Sequence, residues 1–316
     1  MSRKGKNILR AVQWILVVLA YGYLIYRLAT YHDWQSLADD FRQAGTWQYL
    51  SLAAAVLLFP LNILLESIKW RYLLREVEPM TIREAQRQTY FGFIGAFLTP
   101  SRLGDYPARV TMMHNRNKWL TAITLGFVGT LALAFLQVLC GMPSCIMLLE
   151  RLGGFRWVEV ICCLVLILQV VIIIFFPILS RIFAEKTHPG KVHDTLVVLG
   201  SFSHKRFLTT MFLSALRYVV WSVQLWLVLE FCGIHLTMVD ALISIPAYYL
   251  LVTVTPSVPV ADAAIRGSWS MVVFNVFSDN IPGIAIAAVL LWFLNTILPM
   301  LVGTFLPYQS FLPAKE

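Results

Sequence analysis

The chain has 316 residues, of which 59% are hydrophobic, 13% aromatic and only 13% charged, with a mean hydropathy of +0.72. A soluble domain carries about 25% charged residues, so the excess apolar surface must meet lipid; a soluble enzyme is excluded, and 20 Phe, 10 Trp and 12 Tyr exclude a disordered chain. Twenty-five Lys and Arg against 17 Asp and Glu leave a net charge of +8, which in a membrane protein records topology rather than a nucleic-acid partner.

A bilayer core of about 30 Å needs about 20 apolar residues per crossing. Six runs of that kind are predicted, near 8–30, 47–68, 119–140, 157–179, 208–231 and 283–306. The first follows Met-Ser-Arg-Lys-Gly-Lys, the basic start of a signal peptide, but its apolar run is too long and no small-residue cleavage site closes it, so it is expected to stay as an anchor. With the N-terminus inside, Arg3, Lys4, Lys6, Arg10, Lys69, Arg71, Arg75, Arg83, Arg87, Arg116, Lys118, Arg181, Lys186, Lys191, Lys205, Arg206 and Lys315 are expected to be cytoplasmic. The outside segments keep Arg42, Arg151 and Arg156 together with Asp33, Asp39 and Asp40. This asymmetry places both termini in the cytoplasm and the protein in the plasma (inner) membrane.

Two further apolar stretches do not fit as crossings. Residues 81–114 run inward to Thr99-Pro100-Ser101 and come back to His114, Arg116 and Lys118; a single crossing would carry those charges outside. Residues 237–278 turn in the same way at Thr255-Pro256-Ser257 and return to Ser278-Asp279-Asn280. Both read as re-entrant hairpins, and backbone broken at membrane depth is tolerated only where it is buried in protein or lines a water-filled cavity.

Shifting the sequence by 156 residues superposes Trp70 on Trp226, Leu73 on Leu229, Thr81 on Thr237, Glu84 on Asp240, Ala85 on Ala241 and the first Thr-Pro-Ser on the second. One extra residue then enters the second copy, after which Asp105-x3-Arg109 matches Asp262-x3-Arg266. The expected fold is therefore an all-α polytopic membrane protein of six transmembrane helices plus two re-entrant helical hairpins in an inverted repeat. Its halves are 1–150, with a cytoplasm-facing hairpin, and 151–316, with two spans joined by a cytoplasmic loop at 180–207 and an outward-facing hairpin. Broken helices that meet near the midplane of an inverted repeat are a transporter design.

The polar residues of the hairpins are the candidate substrate site. Asp105 and Arg109, and likewise Asp262 and Arg266, are spaced i, i+4 and share a helix face with the acid near the N-terminus; each reads equally well as a self-neutralising pair. Arg102 follows the first tripeptide and has no counterpart, because Val258 follows the second. A guanidinium there suits a phosphate oxyanion. Thr99, Ser101, Thr255 and Ser257 flank the prolines, satisfying the backbone groups that proline frees and secondarily facing the site. Arg217 lies inside the fifth span, with Glu66 or Glu230 as the acid expected to neutralise it. Trp70, Trp226, Trp269 and Trp292 read as interfacial or packing residues.

No phosphate-binding Gly-rich loop, Walker motif, His-Glu-x-x-His or Cys-x-x-Cys occurs, and His188-x4-His193 has the wrong spacing for a metal in a solvated loop. No catalytic residue, cofactor or metal is expected. Cys140 and Cys145 leave a disulfide open, packing being the expected role of the cysteines. Paired Asp39 and Asp40 leave a different class of function open: a membrane glycosyl or lipid transferase holding a divalent metal in the first outside loop. A lipid-binding accessory subunit is a third reading.

The string Asn62-x3-Glu66-x3-Trp70-Arg71-x-Leu73-Leu74, followed by Gly92-Phe93 and then Thr99-Pro100-Ser101-Arg102-x-Gly104-Asp105-x3-Arg109, resembles the transmembrane region of lysylphosphatidylglycerol synthases and the related flippase-like family of membrane proteins. The resemblance runs from about residue 8 to residue 306 and implies movement of a modified phospholipid between leaflets; synthesis of the aminoacyl lipid belongs to a separate soluble domain and is not carried over. The second hairpin departs from the family, with Val258-Pro259-Val260-Ala261-Asp262 where a Gly-rich turn and a Glu are usual. The expectation is a lipid translocator, not an enzyme, whose partners are anionic membrane lipids or lipid-linked headgroups. Lacking an ATP site, it would work downhill or coupled to an ion. Oligomeric state is left open, a homo-oligomer included.

Overall fold

In a computed structural model of the chain, the residues described are 22–23, 25–30, 45–151, 156–258 and 261–306. The acidic loop with Asp39 and Asp40 lies outside them, as does most of the predicted span at 8–30, of which 22–23 and 25–29 are helical. Among the described residues the regular structure is all helix: α1 (Thr46–Leu74), α2 (Ile82–Leu98), α3 (Asp105–Thr111), α4 (Trp119–Arg151), α5 (Arg156–Glu185), α6 (Lys191–Gly200), α7 (His204–Phe231), α8 (Met238–Val254), α9 (Asp262–Phe274), α10 (Ile281–Trp292) and α11 (Leu298–Phe305). A π turn, Phe293–Ile297, joins the last two into one rod.

Four of these rods are long and apolar enough to cross a bilayer: Thr46–Leu74, Trp119–Glu150, His204–Phe231 and Ile281–Phe305. Their outward faces carry large apolar side chains, among them Leu57, Leu131, Leu208 and Phe212, which water would not tolerate in such number. The protein is an integral membrane protein. Its helices outrun the predicted spans: the span expected at 119–140 continues to Arg151 through Pro143, and the one expected at 157–179 continues to Glu185.

Three local expectations are corrected. The predicted loop 180–207 holds the last turns of α5 and the whole of α6, which is docked by an Arg181 Nε–H donated to the Gly200 carbonyl at 2.6 Å. His193 accordingly sits in a helix, with Nδ1 3.0 Å from the Ala184 oxygen, and among the described residues no group of three or more His, Cys, Asp or Glu could hold a metal. Cys140 and Cys145 are free thiols. Both lie in α4, where a separation of five residues is about 7.5 Å of axial rise and exceeds the reach of a disulfide.

The two halves share helix bounds at the 156-residue offset. α2 and α8 are each 17 residues long, and each starts from a threonine cap. Thr81 Oγ1 accepts the Glu84 N–H at 3.3 Å, and Thr237 Oγ1 accepts the Asp240 N–H at 3.2 Å. The hydroxyl satisfies an orphan donor of the first turn in both cases, as the sequence match of the two caps requires. Each of these helices then breaks at Thr-Pro-Ser and resumes as a shorter arm, α3 or α9. α1 packs along α7 and α4 along α8, so each half lies against the other rather than beside it. The carboxylate of Glu78 accepts the His114 and Asn115 N–H groups at 3.1 and 2.9 Å, tying the end of the first return arm to the turn that follows α1.

Candidate functional site

The two hairpin tips touch. The Ser101 N–H donates to the Ser257 carbonyl at 2.8 Å, and Ser101 Oγ donates to the same oxygen at 3.3 Å. These serines are the matched residues of the two tripeptides. At the first tip the chain is held tightly: Thr99 Oγ1 donates to the Gly95 carbonyl at 2.8 Å and accepts the Gly104 N–H at 2.7 Å. Ser101 (φ +50°) and Arg102 (φ +58°) are both left-handed, a conformation that costs a side-chain-bearing residue about 1–2 kcal/mol. Thr99 thus does what was expected of it, whereas Ser101 turns away from its own hairpin to the opposite one. At the second tip Thr255 Oγ1 donates to the Leu251 carbonyl and accepts the Trp269 indole N–H.

Beneath the tips lies a cavity of about 470 Å³. Ser101, Arg102 and Asp105 line it from the first hairpin, and Thr255, Ser257, Asp262 and Arg266 from the second. The spans complete it with Glu66 and Lys69 of α1, Arg217 and Trp221 of α7, and Trp292 and Asn295 of the last rod. Thr99 faces a side pocket of about 20 Å³ shared with Ser101, Arg102, Ser257, Asp262 and Trp292. Of the residues predicted from sequence, two do not line the main cavity: Thr99 faces only the side pocket, and Arg109 stands behind the wall.

Arg109 is held there by the group that organises the site. Glu66, 2% exposed, receives three cations: Arg217, Lys69 at 2.8 Å and Arg109 at 3.0 Å. Arg109 also grips Asp105 through Nε at 2.6 Å and Nη2 at 3.1 Å, and its guanidinium lies over the rings of Trp70 and Tyr106. The expected pairing of Arg217 with an acid is therefore made by Glu66; Glu230 is engaged instead by His235 at 2.7 Å. In the second hairpin Arg266 Nε donates to Asp262 at 3.2 Å, and Asp262 also accepts the Trp292 indole N–H at 2.8 Å. Trp292, read from sequence as a packing residue, is a wall of the site.

Sequence reasoning missed Lys69, assigned to the cytoplasmic charge count but 2% exposed, and the amide chain above it. Arg217 Nε donates to Asn62 at 2.8 Å, Asn62 to Asn295 at 2.6 Å, Asn295 to Gln224 at 3.1 Å, and Gln224 to the Ala55 carbonyl at 3.0 Å. Each amide thus gives and receives, so α1, α7 and the last rod are joined without an orphaned polar group along the chain. The π turn carries Asn295; such turns widen a helix locally and recur at functional sites. The signal available in the sequence was Asn62-x3-Glu66, two polar residues on one face of a lipid-spanning helix, where polarity is costly and so rarely idle.

Arg102 differs from every other cation of the site. Its guanidinium lies 5.2 Å from the centroid of the Phe93 ring, and no described residue forms a hydrogen bond or ion pair with it. Asp105 and Asp262 are near, but each is already committed to its own arginine. Lys69, Arg102, Arg109, Arg217 and Arg266 make five cations against the three carboxylates Glu66, Asp105 and Asp262, a net charge of +2 around the cavity.

The described residues thus form an integral membrane protein whose broken helices enclose a cationic cavity. The family model described as the lysylphosphatidylglycerol synthase TM region matches residues 13–303, and the chain belongs to that family. Comparison with curated proteins gives no match.

Proposed function

We propose that the protein translocates an anionic lipid between leaflets, the headgroup passing through the cavity while the acyl chains stay in the bilayer. The observation that carries the reading is Arg102: a cation between the hairpin tips, facing the cavity, with its hydrogen-bonding capacity uncommitted. A phosphodiester would supply the oxygens it lacks, with charge-assisted geometry that a guanidinium fits well. In this reading the chain is an inverted repeat of six spans and two re-entrant hairpins in the plasma membrane, both termini cytoplasmic. The contact between matched residues Ser101 and Ser257 supports it, since equivalent residues meet each other at the axis of a two-fold repeat. The tips close the path, and they part when a headgroup crosses. The activity is transport, not group transfer, and it runs downhill or coupled to an ion.

The test is a liposome assay of leaflet exchange with a tail-labelled anionic phospholipid. Arg102→Gln is expected to slow exchange about tenfold or more, the effect of losing one charge-assisted hydrogen bond of about 1.5–3 kcal/mol. Because the Arg102 guanidinium makes no ion pair or hydrogen bond and loses only its contact with the Phe93 ring, the variant should keep a melting temperature close to that of the parent. Unchanged exchange by folded Arg102→Gln protein overturns the assignment.

A further inference from the structure

We infer that the cavity opens sideways into the bilayer through a mouth framed by Leu103, Phe127 and Val254, and that the glycerol backbone and first acyl segments of the transported lipid lie in it. The inference rests on the translocation reading and adds to it the place where a lipid enters. All three residues line the cavity and yet reach the surface, at 56%, 39% and 60% exposure. A side chain that does both stands at the rim of an opening. The charged residues that α1 and α7 contribute are closed off by contrast: Glu66 and Lys69 are each 2% exposed and Arg217 is 7% exposed. The cavity is sealed where those spans supply charge and open where α4 and the ends of the hairpins supply carbon.

The rim lies at the depth of the acyl chains. α4 starts at Trp119, directly after Arg116 and Lys118. At about 1.5 Å per residue, Phe127 sits about 12 Å along that span, and Leu133, also in the cavity wall, about 21 Å. Hydrocarbon fills about 30 Å of a bilayer, so the mouth faces lipid tails rather than water. Thr130 and Thr253 line the cavity beside the rim and are both exposed. A hydroxyl at that depth is costly unless it is hydrogen-bonded. Thr130 shares its hydroxyl with that of Tyr106 at 2.7 Å, whereas no described residue engages the Thr253 hydroxyl. An ester carbonyl of a glycerolipid is an acceptor that would reach it. Because the mouth is continuous with the cavity that Arg102 faces, its occupant must join an anionic end to an apolar body. A membrane lipid does so; a water-soluble phosphorylated compound lacks the second half.

The experiment uses the full-length protein in vesicles with three probes: tail-labelled phosphatidylglycerol, its one-chain lyso form, and chainless glycerophosphoglycerol. A larger side chain at the rim narrows the mouth. Val254→Trp and Leu103→Trp, both at exposed positions, should each slow the two-chain lipid about tenfold and the one-chain form only about two- to threefold. That ratio between probes is independent of how much of a variant folds. Leu131→Trp, on a lipid-facing part of α4 outside the cavity, should exchange both lipids at the parent rate. The parent should take up glycerophosphoglycerol no faster than protein-free vesicles do; uptake as fast as the lipid means entry from water and overturns the mouth. Rim variants that exchange like the parent or slow both lipids equally, or a ratio changed as much by Leu131→Trp, also overturn it and leave translocation standing. If the parent exchanges neither lipid faster than protein-free vesicles, translocation itself is overturned and the mouth with it.

Discussion

In the first hairpin the return arm α3 lies so close to α2 that neither Gly92 nor Gly95 has room for a Cβ. One at Gly92 would run into the Asp105 carboxylate and into Arg109, and one at Gly95 into the Gly104 carbonyl and Ala108. In the second hairpin the matched positions are Tyr248 and Leu251, and Tyr248 fills the space between the arms with a ring packed against Tyr249 and Phe274. The consequence is electrostatic. Close approach lets Arg109 reach past its own Asp105 to Glu66 on α1, so the first hairpin is wired into the spans. Arg266 stays with Asp262, whose further partner is a tryptophan N–H. One hairpin therefore belongs to the buried charge network and also carries the free cation, while the other neutralises itself. Shared backbone plan does not impose shared chemistry; the small residues between the arms decide it.

The comparison is broken most severely at Glu66. Glu66→Gln leaves Lys69, Arg109 and Arg217, all buried, without their common anion, and removal of one partner from a buried ion pair costs about 3–5 kcal/mol. The thermal midpoint in detergent should fall steeply. Asp262→Asn, which orphans one arginine in a more exposed pair, 14% and 18% accessible, should lower it much less. Equal losses would show that the two hairpins are electrostatically equivalent after all.

Gly92→Ala comes next. The added methyl must displace the Asp105–Arg109 pair, an overpacking cost of about 1–3 kcal/mol, readable as a lower midpoint. If Gly92→Ala leaves the midpoint where it was, the close approach of the arms is not what holds the pair.

The smallest effect separates the two matched serines. Ser101 is left-handed and Ser257 is not. Glycine at 101 relieves about 1–2 kcal/mol of backbone strain, offset by the greater freedom of the unfolded chain, so Ser101→Gly should be neutral or slightly stabilising. Ser257→Gly has no strain to relieve and should cost about 0.4–1 kcal/mol through the greater freedom of the unfolded chain. The difference in midpoint between these two variants measures the strain at the first tip.

The architecture was legible in the sequence to the extent that polarity in lipid is informative. Thr-Pro-Ser twice and Asp-x3-Arg twice marked both hairpins, because each signal is local: a break, an i, i+4 pair. Arg102 stood out for the same reason, as a charge without a counterpart. What the sequence concealed comes from packing between distant segments. Asn62, Gln224 and Asn295 are single amides scattered over more than 200 residues, and nothing in their spacing tells that three helices bring them into one hydrogen-bonded line. Lys69 reads as one more basic residue at a cytoplasmic helix end, since its burial depends on α3 and α7 bringing their arginines to the same glutamate. The π turn that carries Asn295 has no sequence signature of its own.

The central claim is that the two tips meet across the path of the headgroup, and a cross-link reads it directly. With Cys140, Cys145, Cys162, Cys163 and Cys232 replaced, the pair Ser101→Cys and Ser257→Cys should oxidise readily in vesicles, because residues joined by a 2.8 Å backbone hydrogen bond lie within disulfide reach. The oxidised protein should stop exchanging anionic lipid, and a reductant should restore the rate. Failure to cross-link, or full exchange by the cross-linked protein, would contradict the account.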